Sequence, residues 1–205
     1  KPFKPLCPAG AFRVLFAGNA KSLGRQLVKP HLTREKIVAF LLEAPMFEAL
    51  EPGEIMRIVH IVEAQQLNKG EVVFEEGAPG DAWFVLYEGS VDVVKGASPD
   101  EKAVIATRRA PECFGEIAIL DGAPRSATVR AAEESVVLKI QRSNFAELLE
   151  HGELVAYKLV HQMAVLLARR QRAVTSMLSS LLGTSELDEI VIGISEIVQE
   201  VSDET

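Results

Sequence analysis

Between residues 61 and 141 short β-branched and aromatic runs alternate with turn residues, a pattern that predicts strands. The runs are VVF at 72–74, WFVLY at 83–87, SVDVV at 90–94, AVIATR at 103–108, SATVRA at 126–131 and SVVLKI at 135–140. Gly70, Gly77, Pro79, Gly80, Gly89 and Gly96 punctuate them at about the 8–12-residue spacing of a sandwich or barrel. On either side the period becomes helical. Thr33 is placed to cap REKIVAFLLEA, Pro45 interrupts, and Pro52 stands in the first turn of PGEIMRIVHIV. After the strands, Ser143 is placed to cap SNFAELLE at 143–150, and one long helix is predicted from Glu153 to Leu182.

In that helix Val160, Leu167, Val174 and Leu181 recur every seven residues, with Ala156, Met163 and Met177 completing a second row. Such a seam predicts a homodimer built through 156–181, and Arg170, its one breach, is expected to tune the register or bond across the subunits. The helix would span roughly 45 Å, more than a small β-roll can cover, so its far end is expected to pack on another subunit. Gly183 supplies a stop. Leu187, Ile190, Val191, Ile194, Ile197, Val198 and Val201 then repeat with helical spacing after Ser185, although β-branching and Gly193 weaken that helix. The elements define a mainly β, α+β fold: an antiparallel β-roll or jelly-roll core with N-terminal helices and a long C-terminal helix. The expected organisation is a basic arm at 1–34, one domain at 35–182 and an acidic amphipathic tail at 183–205.

Charge adds to this picture through its placement. The net charge is −7, and 184–205 alone carries seven acids and no base, whereas residues 1–30 carry six cations and no acid. The acidic balance argues against a nucleic-acid surface, which is held mainly by clustered Lys and Arg. The basic arm reads as solvated or self-docking. Cys7 and Cys113 lie far apart without a CxxC partner, no run of about 18 apolar residues is present, and the start lacks a signal-peptide pattern. A reduced, soluble, cytoplasmic protein without a membrane span is expected, and the missing initial Met suggests a processed fragment, which leaves room for flanking domains.

Candidate chemistry concentrates in FGEIAILDGAPRSATVR, from Phe114 to Arg130. Gly115 permits close backbone approach, Glu116 offers a carboxylate, and IAIL can form a helical turn whose first amides are free. Free amides at a helix start favour an anion, and Arg125 brings a two-pronged donor suited to phosphate. A site built this way wants a phosphate flanked by a hydroxyl.

The segment resembles the phosphate-binding cassette of cyclic-nucleotide-binding domains, as in protein kinase A regulatory subunits, bacterial catabolite activator proteins and cyclic-nucleotide-gated channels. FGE, Ala118 and PR-x-ATV are most similar to the kinase regulatory version; KGEVVFEEGAPGDAWFVLYEGSVDVV at 69–94 and LLEAPMFEALEPGEI at 41–55 are similar to the family's strands and leading helices. The resemblance implies that Glu116 accepts the ribose 2′-hydroxyl, that Gly115 brings backbone beside it, and that Arg125 pairs with the cyclic phosphate. The amides near Ile117, Ala118 and Ala127 would complete the cradle, with Ser126 standing where the kinase version has alanine and bacterial cAMP sensors have serine. It further implies cAMP, with cGMP as the lesser ligand, no other cofactor, and helices that move over the base. Thr175 lies where bacterial activators touch the base from a neighbouring subunit, although plain helix packing explains it as well.

Other classes fit less well. A cupin-type metalloenzyme needs clustered ligands on the strands, whereas His31, His60, His151 and His161 lie outside the main β-region without an HxH spacing. No metal site and no catalytic residue is expected, since neither a metal cluster nor an activated nucleophile is patterned. A DNA-binding helix-turn-helix has no room in the 23 residues after Leu182, which lack Lys and Arg. The remaining alternative is a protein-interaction module with a vestigial or permanently occupied pocket, docking a protein partner through its C-terminal helices and 184–205.

Overall fold

The computed structural model describes residues 32–96 and 103–181. The basic arm, and the tail with Gly183, Ser185 and its apolar repeat, lie outside the described residues. Three N-terminal helical pieces come first: α1 (Arg34–Glu43), a 3₁₀ turn (Pro45–Phe47) and α2 (Pro52–Ile61). Thr33 caps α1 by accepting from the Lys36 amide, and α2 starts on Pro52 behind a Glu51–Glu54 capping box.

The strands are β1 (Val62–Leu67), β2 (Val72–Phe74), β3 (Ala82–Glu88), β4 (Ser90–Lys95), β5 (Ala103–Arg109), β6 (Cys113–Phe114), β7 (Thr128–Ala131) and β8 (Ser135–Gln141). They form two antiparallel sheets, ordered β1-β8-β3-β6 and β2-β7-β4-β5. A single-turn helix, α3 (Ile117–Leu120), lies between β6 and β7, and α4 (Arg142–Glu150) and α5 (Leu154–Leu181) follow β8. The expected β-roll with flanking helices is present. Two strands had no counterpart in the sequence reading: β1, whose VEAQQL is too polar to announce itself, and two-residue β6. Ser143 does not cap α4. Gln141 holds that position without a side-chain bond, and Ser143 sits inside the first turn.

The residues of β3 explain how one strand supports two cores. Ala82, Phe84 and Leu86 face inward with Leu67, Val91, Phe114, Val129 and Val137, filling the space between the sheets. Trp83 and Val85 point the other way, with Leu138 and Ile140 of β8, and meet Leu41, Phe47, Ile55, Phe145, Leu159 and Met163 from the helices. The period of two thus assigns alternate residues to different cores, which is why WFVLY reads as an unbroken apolar run.

The start of α5 belongs to that second core, and this corrects the first part of the seam. Ala156 and Met163 are fully buried against the domain's own helices and sheet, so the first part of the seven-residue pattern is intramolecular packing. Ion pairs reinforce the attachment: Lys158 Nζ lies 2.7 Å from Glu54 Oε2, and Arg57 pairs with Glu153. The Lys158 bond and the Glu51 amide hold the Glu54 carboxyl below the usual carboxylate range.

Gly80 marks where the loop between β2 and β3 meets α3. A Cβ there would lie 2.3 Å from the Ala118 Cβ and 3.1 Å from the Ala118 carbonyl oxygen. Gly80→Ala is expected to cost about 1–3 kcal/mol through overpacking. It should appear as a lower urea midpoint with an unchanged slope; an unchanged midpoint would contradict so close an approach.

Candidate functional site

The segment 115–127 is the passage from one sheet to the other. Its entry is fixed because β6 pairs with β3, Phe84 opposite Phe114 and Val85 opposite Cys113; its exit is β7, hydrogen-bonded between β2 and β4. Inside the passage Gly115 takes φ +78°, a left-handed conformation that favours glycine. Its missing side chain also matters, since a Cβ would come within 2.9 Å of Arg125 Nη1 and 3.3 Å of the Phe74 ring.

Arg125 is 3% exposed. Its Nη1 donates to the Gly115 carbonyl at 3.0 Å, and its Nη2 to the Ala82 carbonyl at 2.6 Å and to Asp81 Oδ1 at 3.1 Å. The guanidinium carbon lies 4.1 Å from the centre of the Phe74 ring, a cation–π contact. Burial pushes its pKa below the ordinary value, and the Asp81 carboxylate pushes it back up. The backbone is held too: the Arg125 amide donates to Ala78 O at 2.8 Å, and the Gly77 amide to Arg125 O at 2.9 Å.

Glu116 is 1% exposed, and Arg170 of α5 donates to its Oε1. The second Arg170 nitrogen donates to the Cys113 carbonyl at 2.7 Å. Arg170, the breach expected to tune the seam's register or bond across it, ties the far half of α5 to the segment after β6 in its own chain. Cys113 itself is buried, which with the nearby Glu116 carboxylate pushes its thiol up to about 12.

Gly115, Glu116 and Arg125 are thus brought together. Ile119 and Leu120 donate to the Glu116 carbonyl at 3.1 and 3.2 Å, so the amides of Ile117 and Ala118 lie at the start of the turn, outside its internal ladder. Ala127 is buried and Ser126 is exposed. Thr175 lies on an exposed stretch of α5, where its carbonyl accepts from Ser179.

Two atoms of this group are buried without a hydrogen-bond partner among the described residues: Glu116 Oε2, an acceptor, and Arg125 Nε, a donor. Buried polar atoms are rarely left this way. One wants a hydroxyl or amide, the other an anion or carbonyl. A cleft of about 420 Å³ lined by Glu51, Glu54, Arg57 and Glu153 lies elsewhere, at the junction of α2 and α5. Arg57 pairs there with Glu153, Glu54 pairs with Lys158, and Glu51 is taken up in the α2 capping box.

Sequence reasoning missed three supporting residues. Asp81 faces both Arg125 and, at 3.8 Å, Lys139. Phe74 carries the guanidinium. Lys95 bonds Glu76 at 2.6 Å and the Ser126 carbonyl at 2.7 Å, clipping the loop after β2 to the segment. A lone lysine at a strand end carries no pattern. Arg170 did carry one, as the breach in an apolar row, but a heptad cannot say which neighbour the breach faces.

Residues 64–152 match the family model for the cyclic nucleotide-binding domain. The chain is 35% identical over 116 residues to the cAMP-dependent protein kinase regulatory subunit of Aspergillus fumigatus, covering 57% of this chain and 27% of that protein. It therefore spans only about a quarter of the length of such relatives. The solved catabolite activator protein of Thermus thermophilus is 27% identical with a TM-score of 0.58, covering 67% of this chain and 62% of that one. A cyclic nucleotide-binding domain from Methylobacillus flagellatus shares the fold at a TM-score of 0.63 and 24% identity, over 73% of this chain and 85% of that one. With the two-sheet roll, and with Gly115, Glu116 and Arg125 gathered between β6 and β7, residues 64–152 match the cyclic nucleotide-binding domain family and the chain shares the fold of its solved members.

Proposed function

We propose that the domain binds cAMP in preference to cGMP and acts as a regulatory module whose C-terminal helices answer to the ligand. The observation that carries this reading is the pair of buried, unpartnered atoms on Glu116 and Arg125. A ribose hydroxyl can donate to the first, and a cyclic phosphate oxygen can accept from the second, with the Ile117, Ala118 and Ala127 backbone beside them. Adenine is favoured by the similarity to a cAMP-dependent protein kinase regulatory subunit. No covalent step is assigned to any residue.

The regulatory part rests on Arg170. The carboxylate assigned to the ribose is the one that α5 holds, so a ligand that changes the bonding of Glu116 also changes the grip on α5. A ligand shifts such an equilibrium only by its differential affinity for the two arrangements. A second reading, a partner-docking module with a structural pocket, draws on the internal bonds that Arg125 already makes to Gly115, Asp81 and Ala82.

Calorimetric titration of ligand-stripped protein separates the two. Binding of cAMP, weaker binding of cGMP, and binding of 2′-deoxy-cAMP weaker by about tenfold (~1.4 kcal/mol, one charge-assisted hydrogen bond) are expected. Glu116→Ala should erase most of that 2′-deoxy discrimination. Tighter binding of cGMP would reverse the base assignment, and absence of binding to all three would favour the docking module.

A further inference from the structure

The last ten described helical positions before Leu181, residues 171–180, are exposed on every side, yet they are not uniformly polar. Val174 at 53%, Met177 at 64% and Leu178 at 38% exposure stand at i, i+3 and i+4, one apolar face of α5. Helix α5 contains no acidic residue at all. Lys158 and Arg170 are committed to Glu54 and Glu116, while Arg169 and Arg172 are exposed and form no ion pair among the described residues.

The chain beyond this helix is complementary in both respects. Residues 184–205 hold seven acids and no base, and their apolar residues recur as Leu187, Ile190, Val191, Ile194, Ile197, Val198 and Val201. The residues 182–185, LGTS, are of the length that joins antiparallel helices, roughly 2–5 residues. A return between Gly183 and Thr184 with equal helical rise would bring Ile190 level with Met177 and Ile194 within one residue of Val174. The same register would bring Glu196 within one residue of Arg172 and Glu200 within two of Arg169.

We propose that segment 184–205 folds back along α5 of its own chain, covering Val174, Met177 and Leu178 and pairing its acids with Arg169 and Arg172. The covered stretch flanks Arg170, so the tail stiffens the part of α5 that holds Glu116.

Hydrogen exchange on the full chain tests this, with light scattering to fix the assembly. The expected parent is a 22.3 kDa monomer with protected amides at 171–181. Ile190→Asp/Ile194→Asp should speed exchange there at least tenfold and leave the β3 amides at 82–88 unchanged as an internal control. Arg169→Glu/Arg172→Glu should do the same, and adding Glu196→Arg/Glu200→Arg should restore protection. Unprotected 171–181 amides in the parent, or protection unmoved by the Ile190 and Ile194 changes, would overturn the proposal. So would a dimer whose 171–181 protection fades on dilution, because a second copy would then be the occupant.

Discussion

Arg125→Ala is expected to reduce cAMP affinity at least a hundredfold in calorimetry on ligand-stripped protein. Removing one member of a buried, hydrogen-bonded charge pair costs about 3–5 kcal/mol, and each 1.4 kcal/mol is about a factor of ten. The substitution also acts without ligand. It deprives the Gly115 and Ala82 carbonyls of their donors and leaves a gap over Phe74, so the urea midpoint should fall as well. Each lost neutral acceptor contributes about 1 kcal/mol. Arg125→Lys should recover little affinity, because one ammonium cannot reach Gly115, Ala82 and Asp81 together as the planar fork does. A folded Arg125→Ala protein that binds cAMP within about threefold of the parent would remove the basis for the nucleotide reading.

Arg170→Met is expected to destabilise the domain and release the far half of α5. Glu116 is 1% exposed and would keep a buried carboxylate without its cation. Breaking a buried pair costs about 3–5 kcal/mol; Arg170 keeps 22% of its side chain exposed, so screening lowers the expectation to about 1–3 kcal/mol. Pairing the change with Glu116→Gln should recover part of the loss, since the stranded charge is then gone, and a double-mutant cycle measures the coupling. Amides from 167 to 181 should exchange faster in Arg170→Met. Exchange identical to the parent would show that the bond to Glu116 does not hold the helix.

The sheets and the clustering of Gly115, Glu116 and Arg125 were legible in the sequence for physical reasons that also explain the gaps. Strands such as β3 and β8 carry long apolar runs because both faces are covered, so composition alone reveals them. β1 pairs along its entire length with β8 but is half-exposed and polar, and its backbone pairing leaves no mark in side-chain type. Gly115, Glu116 and Arg125 stood out because their chemistry is local to one stretch of sequence. Their partners did not: Asp81 in the loop before β3, Phe74 of β2 and Arg170 of α5 lie 34 residues or more from the nearest of the three in sequence. The long helix was the instructive case. Its seven-residue row was real, but a row of apolar residues specifies burial without naming the surface that buries it, and Ala156 and Met163 turned out to face their own domain.

Trp83 is the chain's only tryptophan. It is fully buried, with Phe47 stacked 6.1 Å away on one side and Phe145 of α4 edge-on at 6.3 Å. Its next neighbour along β3, Phe84, belongs to the aromatic cluster on which Arg125 rests. The indole thus stands one residue from the aromatic support of Arg125 and in contact with the first helix after the roll. Fluorescence excited at the indole band is therefore a native optical readout of the helical core, requiring no attached label, and a solvent-driven red shift would mark separation of α4 from the roll.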